Sequence, residues 1–358
     1  MERTVALDAR LAETSALAFD AAGRLFTVND GEAVLYEVDT LTGAVVSERR
    51  LSPERSPTAD WEALAIRGDT VYVGDFGNNA SGNRTDLRVL RFRLGGDATV
   101  LPVVDTIAFS YADQSDLTPT APNATDFDCE AMVVTADSVY LFTKEWVSFG
   151  AAVYALPNRP GRHVAQPRGR IDSLGLVTDA HFRPADSTLV LSGYSPILQP
   201  FVFLMTDVDA GRLPNAGGRR VQLNLSFHQV EGVASADGRR YFLSNERFRR
   251  SVIDVPAGLS VVELGGLLDG LRGGGTSATP EGRLSPKQGL QVWPNPTHER
   301  AWVRAAGIER VHVYDAAGRE VGAWTLSGDR TEIDCRPWPA GVYWLVAPGG
   351  GVGRVVRR

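Results

Sequence analysis

The sequence predicts an all-β protein, a five-bladed β-propeller followed by a small β-sandwich. Three observations carry this. Apolar and aromatic runs are short and divided by Gly, Asp, Asn and Pro turns, as in RLFTVND, DTVYVGDFG, DSVYLFTKEW and PFVFLMTDV. Helical periodicity is nearly absent, a short helix over Val262–Leu271 being the exception. One layout also recurs five times: a small apolar strand, a turn, and a second apolar-aromatic strand ending in polar residues.

The five copies begin at Thr14, Trp61, Cys129, Thr178 and Val230. Counted between Ala16, Ala63, Ala131, Ala180 and Gly232, the steps are 47, 68, 49 and 52 residues. That period suits a four-stranded propeller blade with long loops. The longest step holds an extra segment, about 101–126, with the polar stretch YADQSDLTPTAPNATDFD. VLYEVDT and VVSERRL supply third and fourth strands to the first copy, and TVALDARL at the N-terminus supplies an outer strand to close the last blade against LSVVEL. The count is five blades, with room for a degenerate sixth. The propeller is expected over residues 1–264. A Gly/Ser/Thr/Pro-rich linker follows over 265–288. Residues 289–358, with LQVWPNP, AWVRAA, ERVHVYDAAGREV, TEIDC and GVYWLVAP, read as a compact immunoglobulin-like sandwich.

Composition narrows the partners. The net charge of −6 comes without a basic stripe interleaved with aromatics, which argues against nucleic acid. No apolar run approaches the roughly 18 residues of a membrane span. Cys129 and Cys335 fall in different expected domains and read as buried thiols rather than a disulfide. The N-terminus MERTVALDARL shows no basic segment before an apolar core, so no signal peptide is visible; export then implies a leader removed or lost to a misassigned start.

The last seventy residues resemble the type A C-terminal sorting domain of the type IX (Por) secretion system of the Bacteroidetes and their relatives. The resemblance rests on Pro294-Asn295-Pro296, on Val313-Tyr314-Asp315-Ala316-Ala317-Gly318-Arg319, on Gly341-Val342-Tyr343, and on a basic end with Arg354, Arg357 and Arg358. Asn-Pro after a strand forces a turn, and the glycine of Asp-Ala-Ala-Gly-Arg suits a hairpin position of positive φ. The resemblance implies the type IX secretion machinery as partner, passage across the outer membrane, removal of the domain, and a secreted or cell-surface location. The propeller resembles those of secreted proteins of unassigned activity that carry this signal, through Asp126-Phe127-Asp128-Cys129-Glu130-Ala131, VYLFTKEW and Ser244-Asn245-Glu246, and more faintly phytase-like esterase propellers.

Alignment of the five copies isolates one column before the small residue of the first strand: Ser15, Glu62, Glu130, Asp179 and Glu231. Set at the start of each innermost strand, these side chains would ring the channel mouth. The antiparallel second strand returns to the same face. It brings Asn29, Asp30, Asp75, Asn78, Asn79, Lys144, Glu145, Tyr194, Asn245 and Glu246 there, with Asp60, Asp126 and Asp128 just upstream. Two readings stay open. Hard oxygen ligands around a cavity suit calcium or magnesium, held by Glu62, Glu130, Asp179 and Glu231. Alternatively the same acids accept backbone N–H bonds from neighbouring blades and lock the ring.

No Gly-x-Ser-x-Gly elbow, His-Glu-x-x-His or phosphate-binding glycine loop is present. His181 and His228 lie near the inner strands, and His228, three residues before Glu231, approaches the acidic face. Trp61, Trp146, Phe149 and Tyr194 are placed to stack on a ligand or to pack between blades. Two functions follow: a surface module binding glycan or protein, or a divalent-cation-dependent phosphoester or ester hydrolase in which Lys144 meets an anionic substrate.

Overall fold

In a computed structural model, the described residues are 2–52, 60–96, 99–172, 174–196, 198–209, 213, 217–225, 227–250, 253–273, 291–304, 310–315, 320–326, 330–346 and 352–358. The chain divides into two units, Met1–Gly273 and Gly274–Arg358.

The first unit is a ring of five four-stranded antiparallel blades. Strand β1 (Arg3–Ala6) precedes blade one, which holds β2 (Thr14–Phe19), β3 (Leu25–Asn29), β4 (Val34–Val38) and β5 (Val45–Ser52). Blade two holds β6 (Trp61–Arg67), β7 (Thr70–Asp75), β8 (Arg88–Arg93) and β9 (Val100–Tyr111). Blade three holds β10 (Cys129–Val134), β11 (Ser138–Thr143), β12 (Ala151–Pro157) and β13 (Gly161–Ile171). Blade four holds β14 (Leu176–Arg183), β15 (Thr188–Tyr194), β16 (Pro200–Met205) and β17 (Arg219–Gln222). Blade five begins with β18 (Val230–Ala234) and β19 (Arg240–Asn245), sends out a hairpin of β20 (Phe248–Arg250) and β21 (Ile253–Val255), and continues with β22 (Gly258–Glu263). Its fourth strand is β1, paired antiparallel from Arg3↔Val261 to Ala6↔Gly258. The N-terminal segment therefore closes the ring as the sequence predicts. The first strands touch in the cyclic order β2, β6, β10, β14, β18 and back to β2.

Apolar faces of adjacent blades meet in successive cores; that between blades three and four includes Phe142, Val153, Leu174, Leu189 and Phe201. The long outer strand β9 also pairs in parallel with β5 on one side and β13 on the other, joining the rims of blades one to three. The extra segment thus splits in two. Its start belongs to β9, and the rest folds over the ring, with the Thr120 and Asn123 N–H groups donating to Ser81 O (2.9 Å) and Asn79 O (2.8 Å).

The linker assignment is corrected at its start. Residues Gly265–Gly273 form helix α1, because Leu267, Leu268 and Leu271 recur at helical spacing and pack with Leu264 against Tyr241, Val262 and Leu204. The remainder of the expected linker lies outside the described residues. Among the described residues no helix is long and apolar enough to cross a membrane.

In the second unit, β23 (Gln291–Trp293), β24 (Arg300–Arg304) and β27 (Thr331–Asp334) form one sheet. The strands β26 (Glu320–Thr325), β25 (Arg310–Asp315), β28 (Gly341–Val346) and β29 (Val352–Arg357) form the other. A sandwich core of Val303, Val311, Val313, Ile333, Trp338, Tyr343 and Leu345 lies between them. Pro294, Asn295 and Pro296 leave β23, and Asn295 Oδ1 accepts the Val356 N–H at 2.8 Å. Tyr314 and Asp315 end β25, whereas Gly341 and Tyr343 lie in β28, where the Tyr343 hydroxyl donates to Pro339 O at 2.8 Å. Gly318 and Arg319 lie outside the described residues. Cys129 and Cys335 are buried free thiols.

Candidate functional site

A single irregularity, repeated in all five blades, builds the site. Each first strand loses register with its partner near the channel mouth, between Thr14 and Ala16, Trp61 and Ala63, Cys129 and Ala131, Val177 and Asp179, and Val230 and Gly232. The skipped residue of such a bulge has no opposite number in the ladder, so its side chain is re-aimed. The skipped residues are Ser15, Glu62, Glu130, Thr178 and Glu231.

The predicted column is therefore right in four blades and one residue late in the fourth. Thr178 occupies the bulge there, its hydroxyl donating to Val230 O at 2.6 Å. Asp179 takes the place filled elsewhere by Ala16, Ala63, Ala131 and Gly232, and it is fully buried. Its Oδ1 accepts the Ala180 N–H at 2.8 Å, and its Oδ2 accepts Val233 N–H at 2.8 Å and Leu17 N–H at 3.4 Å. Asp179 thus ties blades four, five and one together. Burial pushes its carboxyl well up, opposed by those three donors.

Around the channel mouth lies a cavity of about 200 Å³, lined by acids Glu13, Asp30, Glu62, Glu130, Glu231 and Glu246, together with Lys144. Trp146, Tyr194, Asn79, Asn123, Thr14, Ser15 and Gln229 complete the lining. The ends of the second strands form an upper ring, with Asp30, Lys144 and Glu246 just after their strands and Tyr194 the last residue of β15, while blade two turns the buried Phe76 inward to its core. Lys144 is 4% exposed. Its Nζ lies 3.2 Å from Glu130 Oε1 and 3.8 Å from Glu231 Oε2, and 5.0 and 5.2 Å from the ring centres of Trp146 and Tyr194.

Behind the glutamates stand two more acids. A Cβ at Gly77 would collide with both the Asp60 and Glu62 carboxyls, so the loop after β7 can pass them only as glycine. Asp128 accepts the Asn78 N–H at 2.6 Å and Trp146 Nε1–H at 2.7 Å, which fixes the indole against Lys144.

Desolvation dominates the electrostatics. Burial raises Glu62 well above the usual carboxyl range, with Asp60 repulsion adding; burial raises Glu130 likewise, with Glu62 adding. Glu231 is raised by burial against the pull of Lys144. Burial, then Glu231, pushes Glu246 up to about 8. Burial disfavours the Lys144 ammonium, but Glu130 and Glu231 outweigh it and the net direction is well up. One ammonium thus faces several carboxyls that burial has pushed up.

This has a consequence for stability. The folded chain binds the Glu246 proton up to about pH 8, the unfolded chain only to about 4.5. The contribution is fully present below 4.5 and is lost as pH rises through 8. Melting followed from pH 5 to 9 should show the propeller losing stability on the alkaline side, and Glu246→Gln should flatten that decline. An unchanged slope in the variant would refute the assignment.

Other predicted ligand-face residues have structural partners. Asp75 is clamped by Arg84 at 2.9 Å and Arg88 at 2.8 Å. Asn78 donates to Phe127 O and accepts Arg84 N–H. Glu145 pairs with Arg170, and burial against that pull leaves it at about 7. Asn245 donates to Glu246 O and Pro256 O. His228 is half-buried and does not line the cavity, nor do Trp61 and Phe149. His181 is half-buried beside Tyr241, and desolvation lowers it to about 4.

Among the described residues no three His, Cys, Asp or Glu side chains are spaced to hold a metal ion, and the cation between Glu130 and Glu231 is Lys144. Glu13 and Gln229 were missed, though both sit two residues before a bulge, as Asp60 and Asp128 do. Asn123 reaches the rim from the extra segment.

Residues 291–352 match the family model of the secretion system C-terminal sorting domain. No curated protein matches the chain. Similar solved structures include the PQQ-bound aldose sugar dehydrogenase of Streptomyces coelicolor, at 13% identity over 73% of this chain and 97% of that one, TM-score 0.44. A protein of unknown function from Bacteroides caccae shares 12% identity over 71% and 78%, TM-score 0.42. PorZ, a surface component of the type IX secretion system of Porphyromonas gingivalis, shares 14% identity over 96% of this chain and 45% of its own, TM-score 0.33.

Proposed function

With its C-terminal unit a secretion-system sorting domain, and the chain therefore secreted or attached at the outer surface, we propose that the propeller is a binding module that takes a small polar ligand at the channel mouth. The observation that carries this is the cavity of about 200 Å³ into which all five blades direct polar groups, two of them beside aromatic faces. Its volume admits one sugar residue or one short side chain of a larger glycan or protein.

The chemistry of the lining favours binding over turnover. Lys144 stays protonated between two glutamates and is no nucleophile. A cation-dependent phosphoester hydrolase would need a metal that the described residues are not spaced to hold, and its anionic substrate would face six carboxyls. The test is a panel of sugars, amines and phosphomonoesters scored by thermal shift on the full chain, with product formation assayed in parallel. A raised melting temperature without turnover is the expected result. Sustained multiple turnover of any ester would overturn a purely binding role.

A further inference from the structure

We infer that the ligand is an organic cation, a primary ammonium or guanidinium group on a short chain, inserted at the channel mouth beside Glu62 and Glu246. This deepens the binding reading and rests on it.

The cavity already binds one ammonium by this chemistry. Lys144 reaches it from blade three, held by Glu130 and Glu231 and faced by Trp146 and Tyr194 at 5.0 and 5.2 Å. Carboxylate beside aromatic faces is a general way of holding a desolvated cation. A single ammonium does not exhaust the lining, which carries six carboxyl side chains. Glu13, Glu62 and Glu246 form no ion pair within 4.0 Å among the described residues. Glu62 is 8% exposed and lines the cavity, and burial and the Asp60 carboxyl push it up against the weaker pull of Lys144. Buried acids facing one another without a counter-ion are costly, and a donor-bearing cation relieves that cost directly.

Other ligand classes fit less well. An inorganic anion meets six carboxyl side chains and one ammonium already paired with two of them. A divalent metal needs convergent ligands that this spacing does not supply. A neutral sugar satisfies hydrogen bonds but brings no counter-ion to Glu62 or Glu246.

Binding a cation should also draw protons off these acids, because it favours their ionised form. Nothing is transferred covalently; a proton passes from carboxyl to buffer as the ammonium takes its place.

The experiment is calorimetric titration of the full chain at pH 7.5 with 1,5-diaminopentane and with agmatine, repeated in two buffers of different ionisation enthalpy. Glucose, calcium chloride and inorganic phosphate are the comparison probes. Either amine is expected to bind with proton release, and at least tenfold more weakly to Glu246→Gln. Glu62→Gln replaces it should that variant fail to fold. Binding of glucose without either amine would overturn the cation class and leave the binding reading intact. Calcium binding in preference to both amines would overturn it in favour of a metal. Silence from every probe, with the chain shown to be folded, would overturn both the inference and the reading beneath it.

Discussion

Replacing Lys144 with methionine should destabilise the propeller by about 3–5 kcal/mol at pH 8, the usual loss when one partner of a buried ion pair is removed. Methionine keeps much of the stem's volume between Trp146 and Tyr194, so packing is largely spared and the loss is electrostatic. It leaves Glu130 and Glu231 desolvated, with Glu62 beside them and no ammonium. Those carboxyls are already pushed up by burial, so acid supplies the missing positive charge as protons. The deficit should therefore shrink towards pH 5, opposite to the trend of an ordinary acid-labile salt bridge. Adding Glu130→Gln to Lys144→Met should recover part of the loss, and the four proteins form a double-mutant cycle on the 3.2 Å contact. Urea melts at both pH values supply the measurement. A loss below about 1 kcal/mol at pH 8, in the range of exposed pairs, would mean that the clasp carries no net charge interaction.

The architecture was legible because a propeller repeats. Five copies of strand, turn and strand gave five blades, and TVALDARL against LSVVEL gave the closure that β1 and β22 make. The channel-mouth column was also legible in four blades, because Ser15, Glu62, Glu130 and Glu231 each precede a small residue that the crowded axis requires. Blade four broke the rule. Ala180 imitates that small residue, while the axial position is held by Asp179, a buried acid that supplies its own bonds to the neighbouring blades. A one-residue shift of this kind leaves no trace in spacing alone, and only the ladder partners Val177↔Gly193 and Asp179↔Ser192 reveal it. The Lys144 clasp was hidden for a related reason. Convergent carboxylates announce a need for positive charge, but not whether a metal or a side chain meets it, and Lys144 lies fourteen residues along from Glu130, just past the next strand. Helix α1 was legible as a short helix, but over Val262–Leu271 rather than Gly265–Gly273, and its glycines drew the same residues into the linker although Leu267, Leu268 and Leu271 supply an apolar face.

Substituting Asp179 with alanine should cost about 3–9 kcal/mol, because three buried N–H groups lose their acceptor at about 1–3 kcal/mol each. The Ala180 and Val233 bonds at 2.8 Å should account for most of it, and the longer Leu17 contact for least. Asparagine at the same position keeps one acceptor oxygen but turns an amide N–H₂ towards donors, so it should recover little. The comparison that gives this meaning is Glu62→Gln. Glu62 faces the cavity and opposes Asp60 without a backbone donor of its own, so neutralising it relieves repulsion and should leave stability unchanged or raised. The two acids occupy the same column by sequence and adjacent positions by structure, yet the first holds the ring together and the second faces a ligand. Denaturant melts of both variants, with titration of 1,5-diaminopentane into each, separate the roles. Asp179→Ala should lose stability and, where folded, keep the Lys144 clasp and its binding site. Glu62→Gln should keep stability and weaken the amine. A stable Asp179→Ala that no longer binds would return Asp179 to the ligand site and remove the bulge as the device that separates structural from ligand-facing acids.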